Sequence, residues 1–190
     1  MQMNRYTFIP LITGIIMIAI FIMVASTLTS VWAFIPGVII SYIFYLNTYY
    51  KKSPEPERIL PLYLLALGIQ FIHFTEEYLT DFTSEIPKLF DQEPYPMDYW
   101  IVFNMIAYFV FILGGIILFK RKKEFMIIPL FFILVGVVFN SIAHILLSIY
   151  AGGYFPGLYT ALVYAVLGPV LMKKIFDETR TNWKGVINDL

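Results

Sequence analysis

In the stretch FIHFTEEYLTDF, residues 71–82, a histidine and two adjacent glutamates interrupt an apolar run that begins near Ile59. His73, Glu76 and Glu77 are spaced i, i+3, i+4, which puts all three on one face of a helix, with Gln70 one turn below. Asn140 and His144 repeat the i, i+4 spacing in a second apolar run. These are the chain's only two histidines, and no other acidic residue stands inside a hydrophobic segment rather than at its end or in a loop. With no cysteine present, thiolate catalysis, thiolate ligation and disulfides are all excluded.

Two imidazoles and two carboxylates support three kinds of chemistry. As metal ligands they suit zinc, iron or manganese. Two carboxylates carry a charge of −2, which one divalent ion neutralises. Di-iron bundles use more carboxylates than this chain offers, so one ion is expected rather than two. His73, His144 and one glutamate would supply three ligands and leave a position open, as catalytic sites do. The other glutamate, Glu76 or Glu77, would then be a fourth ligand or a general base. Asn104 and Asn140 would orient the ligands, with Gln70, Tyr154, Tyr159 and Thr160 as further candidates for that role or for holding substrate. Without a metal, the same groups could be the acid and base of an isomerase or cyclase acting on a sterol-like or isoprenoid-like lipid. A third possibility is a structural polar network, or a path for protons or ions.

The elements that must position these residues are membrane spans. Of the 190 residues 59% are hydrophobic and only 14% charged, and the mean hydropathy is +0.76. A soluble domain has about 25% charged residues. The formal net charge of zero offers no attraction for nucleic acid. Six apolar segments are each near the ~20 residues that a spanning helix needs: about 8–29, 33–50, 59–81, 99–119, 125–149 and 156–175. If the N-terminus is cytoplasmic, twelve of the thirteen basic residues, Lys184 among them, fall on the inner side; only Lys88 does not. Basic residues favour the cytoplasmic side, so an N-in, C-in bundle in the cell membrane is expected. At ~1.5 Å of rise per residue, His73, Glu77, Asn104, His144 and Thr160 all lie ~6–12 Å below the outer surface, with Asn140 ~14 Å deep. Four helices therefore contribute to one polar layer. An ion buried there would cost at least ~2.5 kcal/mol at a helix centre, so chance placement is a poor account of it.

His73-x-x-Glu76-Glu77 followed by Tyr78 resembles the signature of the HXXEE family of small, multi-spanning membrane proteins. Asn104, Asn140-x-x-x-His144 and the run YFPGLYTA, with Tyr154, Pro156, Gly157, Thr160 and Ala161, are similar to its later features. The resemblance covers roughly residues 60–165, leaving the first two spans (8–50) outside it. It implies a multi-helix membrane fold and this residue set. The family is named for its motif, so no reaction comes with it.

Together these readings predict an all-α integral membrane protein. Residues 1–190 form a single domain of six transmembrane helices, with an outer-leaflet His/Glu site for one divalent metal ion. The expected partners are the bilayer and a lipid-like or membrane-proximal small molecule. Two local expectations accompany them: Pro156 opens the sixth helix, and the acidic loop 81–98 is either a plain connector or holds a short interfacial helix over the site.

Overall fold

The computed structural model describes residues 4–24 and 28–180, leaving aside the side chains of 24 and 28–33. No strand occurs among them. The long helices are α1 (Arg5–Val24), α2 (Leu28–Asn47), α3 (Pro56–Leu79), α5 (Met97–Phe119) and α8 (Leu158–Thr179); the short α4 (Phe82–Lys88) lies in the loop after α3. Between α5 and α8 runs a composite helix: α6 (Ile127–Phe131), a π-helical segment (Phe132–Phe139) and α7 (Asn140–Tyr150). Five helices among the described residues are long and apolar enough to cross a membrane: Arg5–Met23, Pro56–Leu79, Met97–Phe119, Lys123–Tyr150 and Leu158–Thr179. The apolar stretch Phe34–Asn47 of α2 is shorter.

The expected break near 30–32 falls elsewhere, because α2 already begins at Leu28. The run STLTSVW, 26–32, mixes hydroxyl and apolar side chains without a charge, so hydropathy alone does not mark the helix start there. Lys184, counted among the inner basic residues, lies outside the described residues. Of the two alternatives for loop 81–98, the helical one is found: α4 lies there, and Asp81 at φ 60° turns the chain sharply into it. Aspartate is one of the few residues that enter this left-handed region readily.

Phenols tie the bundle together. Tyr63 of α3 donates to Phe111 O on α5 (2.6 Å), and Tyr108 of α5 donates to Gln70 O on α3 (2.9 Å). Tyr164 of α8 lies 2.9 Å from Ala66 O and 2.8 Å from Gln70 Oε1, its one proton serving either. In α2, Tyr45 donates to Tyr6 O on α1 (2.7 Å). A buried hydroxyl needs an acceptor, and a helical carbonyl still has a lone pair to give.

One close approach depends on glycine. A Cβ on Gly114 would overlap Tyr63 Oη and come within 3.4 Å of the Pro129 backbone. The bond to Phe111 O keeps Tyr63 from swinging aside. Gly114→Ala is therefore expected to destabilise the protein by about 1–3 kcal/mol, read as a lower melting temperature in detergent. Gly68→Ala is the control, since nothing lies within 4 Å of its Cβ position.

Candidate metal centre

Three helices meet at the end of the bundle where α3 and α7 finish and α8 starts. From α3 come His73 and Glu77, and from α7 comes His144. All three are buried, with relative exposures of 1%, 7% and 3%. Glu77 Oε1 stands 3.4 Å from His73 Nε2 and 3.4 Å from His144 Nε2. One ligand atom from each of these residues fits within a 4.8 Å span. The two imidazole rings meet edge to face with centroids 4.7 Å apart. Spacing and depth predict the two histidines with one or both glutamates, and the structure brings Glu77 to them.

The separation decides what kind of contact this is. Charge-assisted N–H···O bonds run about 2.7–2.9 Å, so 3.4 Å is too long for one. Two ligand atoms on one tetrahedral ion, each bonded at ~2.0–2.1 Å, stand ~3.4 Å apart. The protonation of His144 points the same way. Its Nδ1 lies 2.6 Å from Pro156 O, and a carbonyl can only accept, so Nδ1 carries the proton. In the neutral ring Nε2 is then a bare lone pair directed at a carboxylate oxygen. The arrangement is a set of Lewis bases facing one another, which a cation or a shared proton resolves.

The neighbours of the trio are arranged to hold the rings. His73 Nδ1 is 2.7 Å from Thr160 Oγ1, and Asn140 Nδ2 donates to His73 Nε2 at 2.8 Å. Phe82 of α4 and Phe155 border His144, with ring centroids 5.7 and 6.3 Å away; Tyr164 borders His73 at 5.9 Å. Gly157, at φ 85°, places its backbone directly against both imidazoles: a Cβ there would sit 2.6 Å from His144 Nδ1 and 2.8 Å from His73 Cε1.

Other sequence-predicted residues take different places. Glu76 does not join the trio. Its carboxylate reaches the start of α8 and accepts from Tyr159 N (2.9 Å), Thr160 N (2.9 Å), Thr160 Oγ1 (2.5 Å) and Tyr154 Oη (2.9 Å). The first-turn N–H groups of a helix lack partners of their own, so a carboxylate is a natural cap there. Tyr154 and Thr160 thus belong to the surround through Glu76, whereas Tyr159 contributes its backbone and leaves its ring exposed. Gln70 is occupied by Tyr164 in the α3–α8 tie. Asn104 donates to Trp100 O on its own helix and makes no hydrogen bond to the trio. Pro156 is not in the helix: α8 begins at Leu158, which frees the Pro156 carbonyl for His144. Two further neighbours of the site, Tyr164 and Phe82, carry no signal in the sequence. Both are aromatic residues in aromatic-rich runs, and nothing in their spacing separates them from ordinary packing.

The fold and site define a class: helical proteins of membrane-spanning proportions that enclose a buried His–Glu–His cluster at one end of the bundle. A family model described as "Protein of unknown function with HXXEE motif" matches residues 64–172, and the chain belongs to that family. The match takes in the whole trio and leaves α1 and α2 outside it. Searches of curated proteins and of solved structures returned no match.

Proposed function

We propose that His73, Glu77 and His144 hold one divalent metal ion, zinc, iron or manganese, and that the site acts on a lipid-soluble or membrane-proximal small molecule. The observation that carries this reading is the 3.4 Å approach of Glu77 Oε1 to two imidazole Nε2 atoms, one of them bare because Pro156 O holds the proton on the far side of the ring. One carboxylate and two neutral imidazoles would leave a bound divalent ion with net positive charge and a coordination position open, which favours catalysis over a structural role. Such an ion supplies Lewis acidity toward a polarised oxygen of a substrate. The protein's part is to fix the ligand rings, exclude water with Phe82 and Phe155, and offer access from the bilayer.

The same reading puts the site in the outer half of a six-span, N-in, C-in bundle in the cell membrane, with α2 as the second span. Charge distribution supports it. The loop over the site holds Asp81, Glu85, Asp91, Glu93 and Asp98 against a single Lys88, while Lys51, Lys52 and Lys120 to Lys123 lie at the opposite end.

A second reading, metal-free acid–base chemistry on a lipid, has one contact in its favour. Asn140 already satisfies the His73 Nε2 lone pair at 2.8 Å, and an ion would have to displace that amide. Elemental analysis of detergent-purified protein separates the two. The metal reading expects near one ion per chain in the wild type, its loss in His144→Ala and Glu77→Gln, and its retention at saturating metal in Glu76→Gln, because Glu76 is not a ligand. Folded wild-type protein that stays metal-free after incubation with all three ions would overturn the metal reading and leave an acid–base or structural network.

A further inference from the structure

We propose that Glu76 is a positioning residue: acting through the Thr160 hydroxyl, it fixes His73 in the tautomer with the proton on Nδ1 and none on Nε2. The motif's two glutamates then have separate tasks. Glu77 faces the imidazoles, and Glu76 sets the proton of one of them from outside.

The geometry fixes the direction of each hydrogen bond. An ionised carboxylate only accepts, and Glu76 is surrounded by four donors. Two of these, the N–H groups of Tyr159 and Thr160, cannot act in any other sense. The Thr160 hydroxyl has one proton and two nearby acceptors, Glu76 Oε2 at 2.5 Å and Gly157 O at 3.2 Å. The shorter, charge-assisted contact takes it. Toward His73 Nδ1, 2.7 Å away, Thr160 Oγ1 can then only accept, so Nδ1 carries the proton. The reverse assignment fails twice. It would leave Thr160 Oγ1 and Glu76 Oε2 as two acceptors 2.5 Å apart, and it would put a proton on His73 Nε2, facing the Asn140 amide donor at 2.8 Å.

The chain therefore fixes its two imidazoles by different means. His144 is held directly by a backbone carbonyl, Pro156 O. His73 is held by a carboxylate with a hydroxyl in between. Metal-binding histidines commonly give their outer N–H to a carboxylate or a carbonyl, and this interposed threonine does the same work at a longer reach. Because Glu76 also caps α8, the ring orientation of His73 is tied to the placement of that helix.

The proposal concerns the same trio as the metal reading but does not require an ion. With only two histidines in the chain, a spectrum of ¹⁵N-histidine-labelled full-length protein in detergent contains just two imidazoles. His144→Gln assigns the remaining one to His73. In chelator-treated wild type the His73 signals are expected to show Nδ1 protonated and Nε2 unprotonated. Thr160→Val keeps the side-chain shape and removes the hydroxyl, so His73 is expected to shift toward a mixture of tautomers while His144 stays put; Thr160→Ser is expected to restore the wild-type pattern. If the metal reading also holds, Thr160→Val weakens ion binding by about 10–100-fold and Thr160→Ser recovers it. A wild-type His73 protonated at Nε2 would overturn the proposal with no variant needed, as would His73 signals unmoved in Thr160→Val. Absence of metal would defeat the metal reading alone and leave this result intact.

Discussion

Gly157→Ala is expected to lose the proposed ion and to melt at a markedly lower temperature than the wild type. Two costs add. An L-residue at φ 85° pays about 1–2 kcal/mol for the left-handed region. The new Cβ would stand 2.6 and 2.7 Å from His144 Nδ1 and Cε1, and 2.8 Å from His73 Cε1. Neither ring can retreat cheaply, because Pro156 O holds one and Thr160 Oγ1 the other. Overpacking of this kind costs about 1–3 kcal/mol more. Two neighbours separate the costs. Gly152, at φ 73° with nothing within 4 Å, tests strain without a clash, and Gly153, also in open space and without a positive φ, tests neither. Thermal unfolding and metal content should rank the alanine variants Gly157, then Gly152, then Gly153. Equal behaviour of Gly157→Ala and Gly152→Ala would mean that the imidazoles do not lie against this backbone.

Glu77→Gln is expected to change stability in opposite directions depending on metal. In wild type, an ion at a hundred times its dissociation constant stabilises the fold by about 2.7 kcal/mol. The variant replaces an anionic ligand with a neutral amide, and ion binding should fall by more than ~100-fold, beyond what loss of an orienting group costs. The metal-induced rise in melting temperature should disappear. In chelator the sign reverses. With His144 neutral and its proton on Nδ1, the ion-free wild type sets a carboxylate lone pair against the His144 Nε2 lone pair at 3.4 Å. The glutamine amide can donate into that contact, a gain of about 1 kcal/mol, so the chelated variant should melt above the chelated wild type. A buried imidazolium–carboxylate pair would behave differently: removing its charge costs about 3–5 kcal/mol under all conditions. Melting curves of both proteins, with zinc and with chelator, decide between these.

How much of this was legible beforehand depended on what kind of coordinate each residue required. His73 and Glu77 share a helix face by their spacing, and His144 joins them by depth, because rise and turn per residue are regular quantities. Glu76 satisfies the same rule at i+3, and spacing cannot separate it from Glu77. What separates them is the arrival of the α8 N-terminus, a tertiary event. Asn104 matches the trio in depth but not in direction, and its amide turns back to Trp100 O. Pro156 has the composition of a helix start. The left-handed Gly157 that follows it moves the start of α8 to Leu158 and turns the proline carbonyl into a hydrogen-bond partner.

The π-helical segment was not legible at all, since FILVGVVF is apolar throughout and carries no period from which to read a phase. Its position has a consequence for any change in chain length. A π turn closes its hydrogen bonds one residue later than an α turn, so the segment behaves as a helix that has absorbed extra chain. It ends at Phe139, and Asn140 and His144 follow immediately. Removing one residue between 132 and 139 is therefore a change the backbone can take up in large part by relaxing toward α geometry, leaving His144 on the side of Glu77. The same deletion in α7, between Asn140 and His144, has no surplus chain to draw on and would turn the imidazole by about 100° although every ligand remained in the sequence. The composite helix thus carries its spare length just before the site and none within it.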